Sequence, residues 1–147
     1  MYYKVFVKNS EFEIVKFDNS ISKYSEFIKH YSKNEYRQYI ITTLKMIKII
    51  EFTIKSEGLI KDISINEDLY DSKEIEYLNK AIEKINSKKV KDIKNFFFHN
   101  SEESIDIESV KVMYKNMYAT IISNGVLIVD ENNYDKTKLK NLMESSL

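Results

Sequence analysis

The sequence predicts an α+β domain in which about three to five helices pack on a mainly antiparallel sheet of about five to seven short strands. Apolar residues alternate with polar ones in some segments and recur every three or four residues in others. These segments follow the order strands, helices, strands, one or two helices, strands and a last helix. With 147 residues and no linker or repeat, residues 1–147 are expected to form a single domain.

The N-terminal segment predicts two short strands, most simply a hairpin, on either side of the polar residues 8–11. The alternating apolar residues are Tyr3, Val5, Val7, Phe12, Ile14 and Phe17. From Ile21 the spacing changes to three and four residues, which predicts a helix with Asp18, Asn19 or Ser20 as its N-cap. Its aromatic-rich stripe consists of Ile21, Tyr24, Phe27, Ile28 and Tyr31.

A capping box formed by Ser32 and Glu35 predicts the start of a second helix. Its apolar stripe would be Tyr36, Tyr39, Ile40, Thr43, Leu44 and Ile47. Beyond Ile47 the sequence supports two alternatives. Residues 50–54 alternate and are rich in β-branched side chains, so we favour a strand paired with 59–65 across a turn at Gly58 over a helix that continues to residue 56.

The next helix is the clearest in the chain, because Asp71 and Glu74 form a second capping box ahead of a regular apolar stripe. That stripe is Ile75, Leu78, Ile82 and Ile85. Val90, Ile93 and Phe97 nearly continue the same phase, which predicts a short further helix or a kinked continuation.

The C-terminal third predicts strands followed by one helix. Strand periodicity begins at Ile105 and Ile107, and it slips at Glu108 and Ser109 as a β-bulge would require. Two apolar runs around Asn124-Gly125 predict a hairpin with a type I′ turn. Residues 135–147 predict a last helix that packs on the sheet through Leu139, Leu142 and Met143.

Composition excludes several function classes. Basic and acidic residues number 23 each, so no overall charge favours nucleic acid or an anionic membrane as a partner. Two glycines cannot build a phosphate-binding loop, and two distant histidines without any cysteine predict no metal site. We therefore expect no cofactor, and the absence of a leader or a long apolar segment suggests a cytoplasmic protein.

The segment FFFHNSEES, residues 96–104, raises the question of a site most directly. We expect Phe97 to anchor a helix end in the core and Phe98 to be an exposed anchor, with His99 near the C-cap. An uninterrupted acidic run follows and would steer a partner. Its members are Glu102, Glu103, Asp106 and Glu108.

Tyrosines near the junction of the first two helices are a second candidate surface, and Tyr31 and Tyr36 are the residues that we assign to partner binding. The simpler interpretation places these rings at the rim of the core with their hydroxyl groups in water.

Together these features favour a non-enzymatic module that occludes one protein partner, as an inhibitor, antitoxin or immunity protein does. One alternative is a small metal-independent enzyme that uses carboxylates and His99. Another is a structural protein that forms a homo-oligomer through an exposed apolar edge such as residues 121–129.

Overall fold

The computed structural model describes residues 1–65, 72–99 and 106–147. They form one seven-stranded antiparallel sheet and five helices, which confirms the predicted α+β class. In chain order the elements are β1 (Tyr2–Lys8), β2 (Glu11–Phe17), α1 (Ile21–Lys33), β3 (Arg37–Gln38), α2 (Thr43–Lys55), β4 (Leu59–Ile65), α3 (Ser72–Asn86), α4 (Ile93–His99), β5 (Ile107–Tyr114), β6 (Met117–Ile122), β7 (Val126–Val129) and α5 (Lys136–Glu144).

The strands lie in the order β2-β1-β7-β6-β5-β4, and the short β3 pairs with β1. The N-terminal hairpin is confirmed, with Tyr2 opposite Phe17 and Lys8 opposite Glu11. Because β1 also pairs with β7, both β6 and β7 are interior strands. The expectation of an exposed apolar edge at residues 121–129 is therefore wrong.

One face of the sheet carries the main core. Helices α2 to α5 contribute buried side chains to it, which confirms the stripes predicted for α4 and α5 and, at Leu78 and Ile85, for α3. The helix residues in this core include Met46, Ile47, Ile50, Leu78, Ile85, Ile93, Phe97, Leu139, Leu142 and Met143. Asp71, the first residue of the predicted capping box of α3, lies outside the described residues.

Helix α1 packs on the opposite face, over β1 and β2. Successive side chains of a strand point to opposite faces, so Val5 joins the main core while Phe6 faces α1. Phe6 stacks on Tyr31 with ring centres 4.6 Å apart, and Phe17 stacks on Phe27 at 5.3 Å. This second, aromatic cluster makes β1 a strand that is buried on both faces.

The remainder of that face is solvent-accessible where β5, β6 and β7 cross it, and we call this surface the open face. Its side chains include Lys111 on β5, Tyr118 and Thr120 on β6, and Ile128 on β7, and each is exposed or half-buried.

The prediction of a strand at residues 50–54 is wrong, because these residues belong to helix α2. The hydroxyl of Thr42 accepts a hydrogen bond from the Lys45 amide and caps the helix. From there Met46, Ile47, Ile50 and Thr53 fall on one buried stripe with helical spacing. Burial of this stripe outweighs the weak strand preference of the β-branched residues. Strand β4 exists as predicted, but it pairs with β5.

The capping box at Ser32 and Glu35 is also wrong, since Ser32 lies inside α1 and Glu35 follows its C-terminus with a φ of 66°. The Asn34 side-chain amide donates to the His30 carbonyl and helps to end the helix there.

The predicted bulge in β5 is confirmed, because Ser109 pairs with Ser64 and Ile107 with Ile65, which leaves Glu108 as the extra residue.

The hairpin between β6 and β7 exists, but its turn is not type I′. The loop comprises Ser123, Asn124 and Gly125, and of these Gly125 is the one with a positive φ, 84°. A Cβ at Gly125 would also meet the Tyr39 carbonyl oxygen, so the position requires glycine for two reasons. Two-residue turns with positive φ at both positions occur instead at Asn9-Ser10 and Lys115-Asn116.

Candidate functional site

Exposed apolar side chains gather where the chain enters α2. Ile40 is 56% exposed and Leu44 is 48% exposed, whereas the next two apolar residues of the helix, Met46 and Ile47, are buried. The helix start explains this difference. With Thr42 as the N-cap, Leu44 falls in the first turn and off the buried stripe, and Ile40 lies in the segment before the helix.

Hydrogen bonds link the segment that contains this pair to the backbone around two exposed acidic residues. The Ile107 amide donates to the Thr43 hydroxyl at 3.0 Å. Asp106 directly precedes Ile107 and Leu44 directly follows Thr43, so this bond links the two residues' neighbours. Ser123 makes the second link. Its carbonyl accepts from the Ile41 amide and its own amide donates to the Glu108 carbonyl, both at 2.8 Å.

We call the surface formed by Ile40, Leu44, Asp106 and Glu108 the α2 patch. It combines two exposed apolar residues with two exposed acidic residues, Asp106 directly before β5 and Glu108 on it. Exposed apolar groups bordered by charge are typical of protein-binding surfaces, where burial gives affinity and charge gives orientation.

The α2 patch rests on a well-fixed loop. The Val5 amide donates to the Gly125 carbonyl, and the Lys4 ammonium donates to the Asn124 carbonyl. The Lys4 side chain is fully buried, and burial lowers the pKa of its amine to about 8. Because Ser123 belongs to the same loop, these bonds fix the position of both halves of the α2 patch.

Two lysines border the α2 patch along the helix, so its two sides carry opposite charge. The Lys45 ammonium lies 4.2 Å from the centre of the Tyr39 ring, and the Lys48 ammonium donates to the Leu147 carbonyl at 2.9 Å. The patch is therefore acidic on its β5 side and basic along α2. A partner that complements it would present basic groups to β5 and apolar groups to Leu44.

The residues assigned from sequence are only partly brought together. Asp106 and Glu108 lie in the α2 patch, and both are exposed. Glu102 and Glu103 lie outside the described residues, as do the side chains of Phe98 and His99, although the backbone of both belongs to α4.

Tyr31 and Tyr36 lie elsewhere, on the α1 face, where both contact Phe6 and are half-buried. Phe6 is on β1, three strands from β5 in the sheet, a separation of roughly 14 Å at the usual strand spacing. The two tyrosines thus occupy the rim of a core cluster, and burial raises the pKa of Tyr31.

Sequence reasoning missed Ile40 and Leu44 as surface residues because it placed both on the buried stripe of a helix that started too early. The signal that could have found them is Thr42 as an N-cap. A helix that begins after Thr42, rather than near Tyr36, buries Met46, Ile47 and Ile50. Leu44 then falls outside this buried stripe.

Within residues 1–65, 72–99 and 106–147, no group of three His, Asp or Glu side chains could hold a metal ion. The same part of the chain contains no helix that is long and apolar enough to cross a membrane. Comparison with protein-family models, with curated proteins and with solved structures finds no match for this chain.

Proposed function

We propose that this protein is a non-enzymatic, cytoplasmic binding module that occludes the functional surface of one partner protein, in the manner of an inhibitor, antitoxin or immunity protein. The α2 patch carries the proposal, because Ile40 and Leu44 are exposed and hydrogen bonds link their segment to the backbone around the exposed acidic residues Asp106 and Glu108. The expected partner has an apolar pocket with basic residues on one side.

The α2 patch is suited to occlusion because it is held in place before any partner binds. The hydrogen bonds of Ser123 to residues 41 and 108 fix both halves relative to each other. A surface fixed in this way loses little conformational entropy on binding, so more of the interaction energy remains as affinity. Leu44 would fill the partner's pocket, and the acidic groups would accelerate association.

The first experiment is affinity capture from the native host with tagged protein at low and moderate salt, followed by mass spectrometry. We expect one stoichiometric protein whose recovery falls as salt rises, because the acidic residues contribute charge attraction. Failure to recover such a protein at either salt concentration would contradict the proposal.

Variants then test whether the α2 patch is the contact surface. With the captured partner, Leu44→Asp should weaken binding by at least roughly tenfold, mainly through faster dissociation, because it places a charge in an apolar pocket. The double variant Asp106→Lys/Glu108→Lys should instead slow association by roughly tenfold and weaken its salt dependence. Surface plasmon resonance separates the two rates.

The matched control is Glu26→Lys/Glu83→Lys, which makes the same change of charge at exposed positions on α1 and α3. Its kinetics should stay within about twofold of the unmodified protein. If the control and the Asp106/Glu108 variant slow association equally, the acidic residues of the α2 patch are not the steering groups. If Leu44→Asp binds normally, occlusion through the α2 patch is wrong.

A further inference from the structure

The open face contains a shallow depression that the binding proposal does not use. Its volume is about 430 Å³, and its lining residues are Lys111, Tyr118, Thr120, Ile128, Val129 and Asp130. Pockets for small molecules usually measure about 300–1,000 Å³, so this one has room for a small ligand. Register explains its composition, because Lys111, Thr120 and Ile128 lie directly opposite one another on β5, β6 and β7.

Two ammonium groups approach the ring of Tyr118, which lines the depression. The Lys61 nitrogen lies 5.9 Å from the centre of the Tyr118 ring, and the Lys111 nitrogen lies 6.0 Å from the same centre. A bulge leaves Lys61 as an extra residue in β4, between Ile60 and Asp62. Cation–π attraction to this ring favours both positions, so two ammonium groups border the same side chain of the depression.

The two lysines are not engaged in ion pairs with the acidic groups nearby. Within the described ranges, neither Lys61 nor Lys111 forms an ion pair. Asp62 is opposite Lys111 in the sheet, but its carboxylate accepts a hydrogen bond from the Ser64 hydroxyl. The Asp130 carboxylate accepts from the Asn132 amide. Both carboxylates keep their charge, but neither is paired with these amines, so the two ammonium groups remain able to contact a ligand.

We propose that the depression binds a small organic anion, such as an aryl phosphate, with its anionic group between Lys61 and Lys111. The apolar body of the ligand lies over Ile128 and the methyl group of Thr120. Neither part suffices by itself, because exposed lysines bind simple anions weakly and a shallow apolar surface gives little orientation. This site is on the sheet face opposite α2, so it is independent of the binding proposal.

Titration of ¹⁵N-labelled protein with phenyl phosphate tests the site. We expect shifts of the backbone amides of Lys111, Thr120 and Ile128 that saturate at millimolar or lower ligand concentration. Inorganic phosphate and phenol, which each lack one half of the ligand, should bind at least roughly tenfold more weakly. Inorganic phosphate binding as tightly as phenyl phosphate would overturn the proposed role of the apolar floor.

Removing positive charge and removing negative charge from the site should change the affinity for phenyl phosphate in opposite directions. Lys61→Gln/Lys111→Gln should weaken phenyl phosphate binding at least roughly tenfold, whereas Asp62→Asn should tighten it a few-fold by removing a negative charge opposite Lys111 in the sheet. The control Lys23→Gln/Lys80→Gln changes two lysines that are already paired with Asp18 and Glu76 and should have no effect. Equal loss in both double variants, or saturable shifts spread over all surface lysines, would overturn the proposal.

Discussion

At the scale of single residues, Lys4 is unusual because its ionisable side chain is buried, which is unfavourable for the charged form. Its side chain is fully buried on β1, between the aromatic cluster under α1 and the loop at Asn124, and its amine donates to the Asn124 carbonyl. A buried ammonium destabilises the folded state unless it loses its proton, and burial accordingly lowers the pKa of Lys4 from 10.5 to about 8.

This pKa predicts that stability rises with pH above neutrality. Between about pH 8 and pH 10.5 the unfolded chain holds a proton on Lys4 that the folded chain has lost, so the free energy of unfolding increases with pH. The gain from pH 7 to 9.5 should be on the order of 2 kcal/mol. Above pH 10 the trend reverses, because burial raises the pKa of Tyr3 to about 12 and unfolded tyrosine ionises first.

Urea unfolding of Lys4→Met from pH 7 to 9.5 checks this assignment. We expect a flat profile and, at pH 7, a gain of about 1–2 kcal/mol in the free energy of unfolding, because the buried charge is gone. Lys16→Met, an exposed lysine on the adjacent strand, should keep the rise of the unmodified protein. A rise that survives in Lys4→Met would show that another group titrates.

At the scale of elements, the Asn86 side chain makes hydrogen bonds to β4 of the kind that a neighbouring strand would make. It is the last residue of α3, and its side-chain amide donates to the Ile60 carbonyl while its oxygen accepts from the Ile60 amide, both at 2.8 Å. This pair of bonds reproduces the pattern of a neighbouring strand at the outer edge of β4. It joins the helix to the sheet and covers backbone groups that could pair with another chain.

Asn86→Ala should therefore lower the free energy of unfolding by about 1–3 kcal/mol, because it leaves two half-buried backbone groups without their partner. Asn79→Ala is the matched control, since Asn79 is exposed on the same helix. Chemical denaturation measures both variants. Equal stability of the two would mean that the contact with Ile60 contributes nothing.

The elements also show where sequence reasoning succeeds. Segments with a strict period and a single buried face were predicted well, as with the stripe of α5 and the bulge at Glu108. Prediction failed at α2, because β-branched residues favoured a strand, whereas the Thr42 cap and the burial of one helical stripe favour the helix. It also failed for the α2 patch, because the bonds from Ser123 to Ile41 and Glu108 join segments that are far apart along the chain.

At the scale of the whole molecule, β1 joins two cores. Its odd-numbered residues pack with helices α2 to α5, and Phe6 packs with α1. Loss of packing on either face should therefore weaken the same strand and, through it, the entire sheet. We expect the protein to unfold in one cooperative step despite having helices on both faces.

Phe6→Ala tests this cooperativity. The variant should lose about 3–5 kcal/mol of stability, and far-UV circular dichroism and tyrosine fluorescence should still report the same midpoint. Leu142→Ala, on the other face, should lose about 2–5 kcal/mol with equally coincident transitions. Separate transitions for α1 and the remaining helices would contradict a shared unit.

The pairing of β1 with β7 also has a consequence for the order of events during synthesis. The contact between Lys4 and Asn124 joins residues 120 positions apart, and β1 leaves the ribosome long before β7 does. Until then β3 pairs only with Phe6 and Val7 along this edge of β1, and Tyr2, Tyr3 and Lys4 lack their strand partner. Such late, long-range closure is entropically costly and slow, so β1 should be among the last strands to gain its full set of partners.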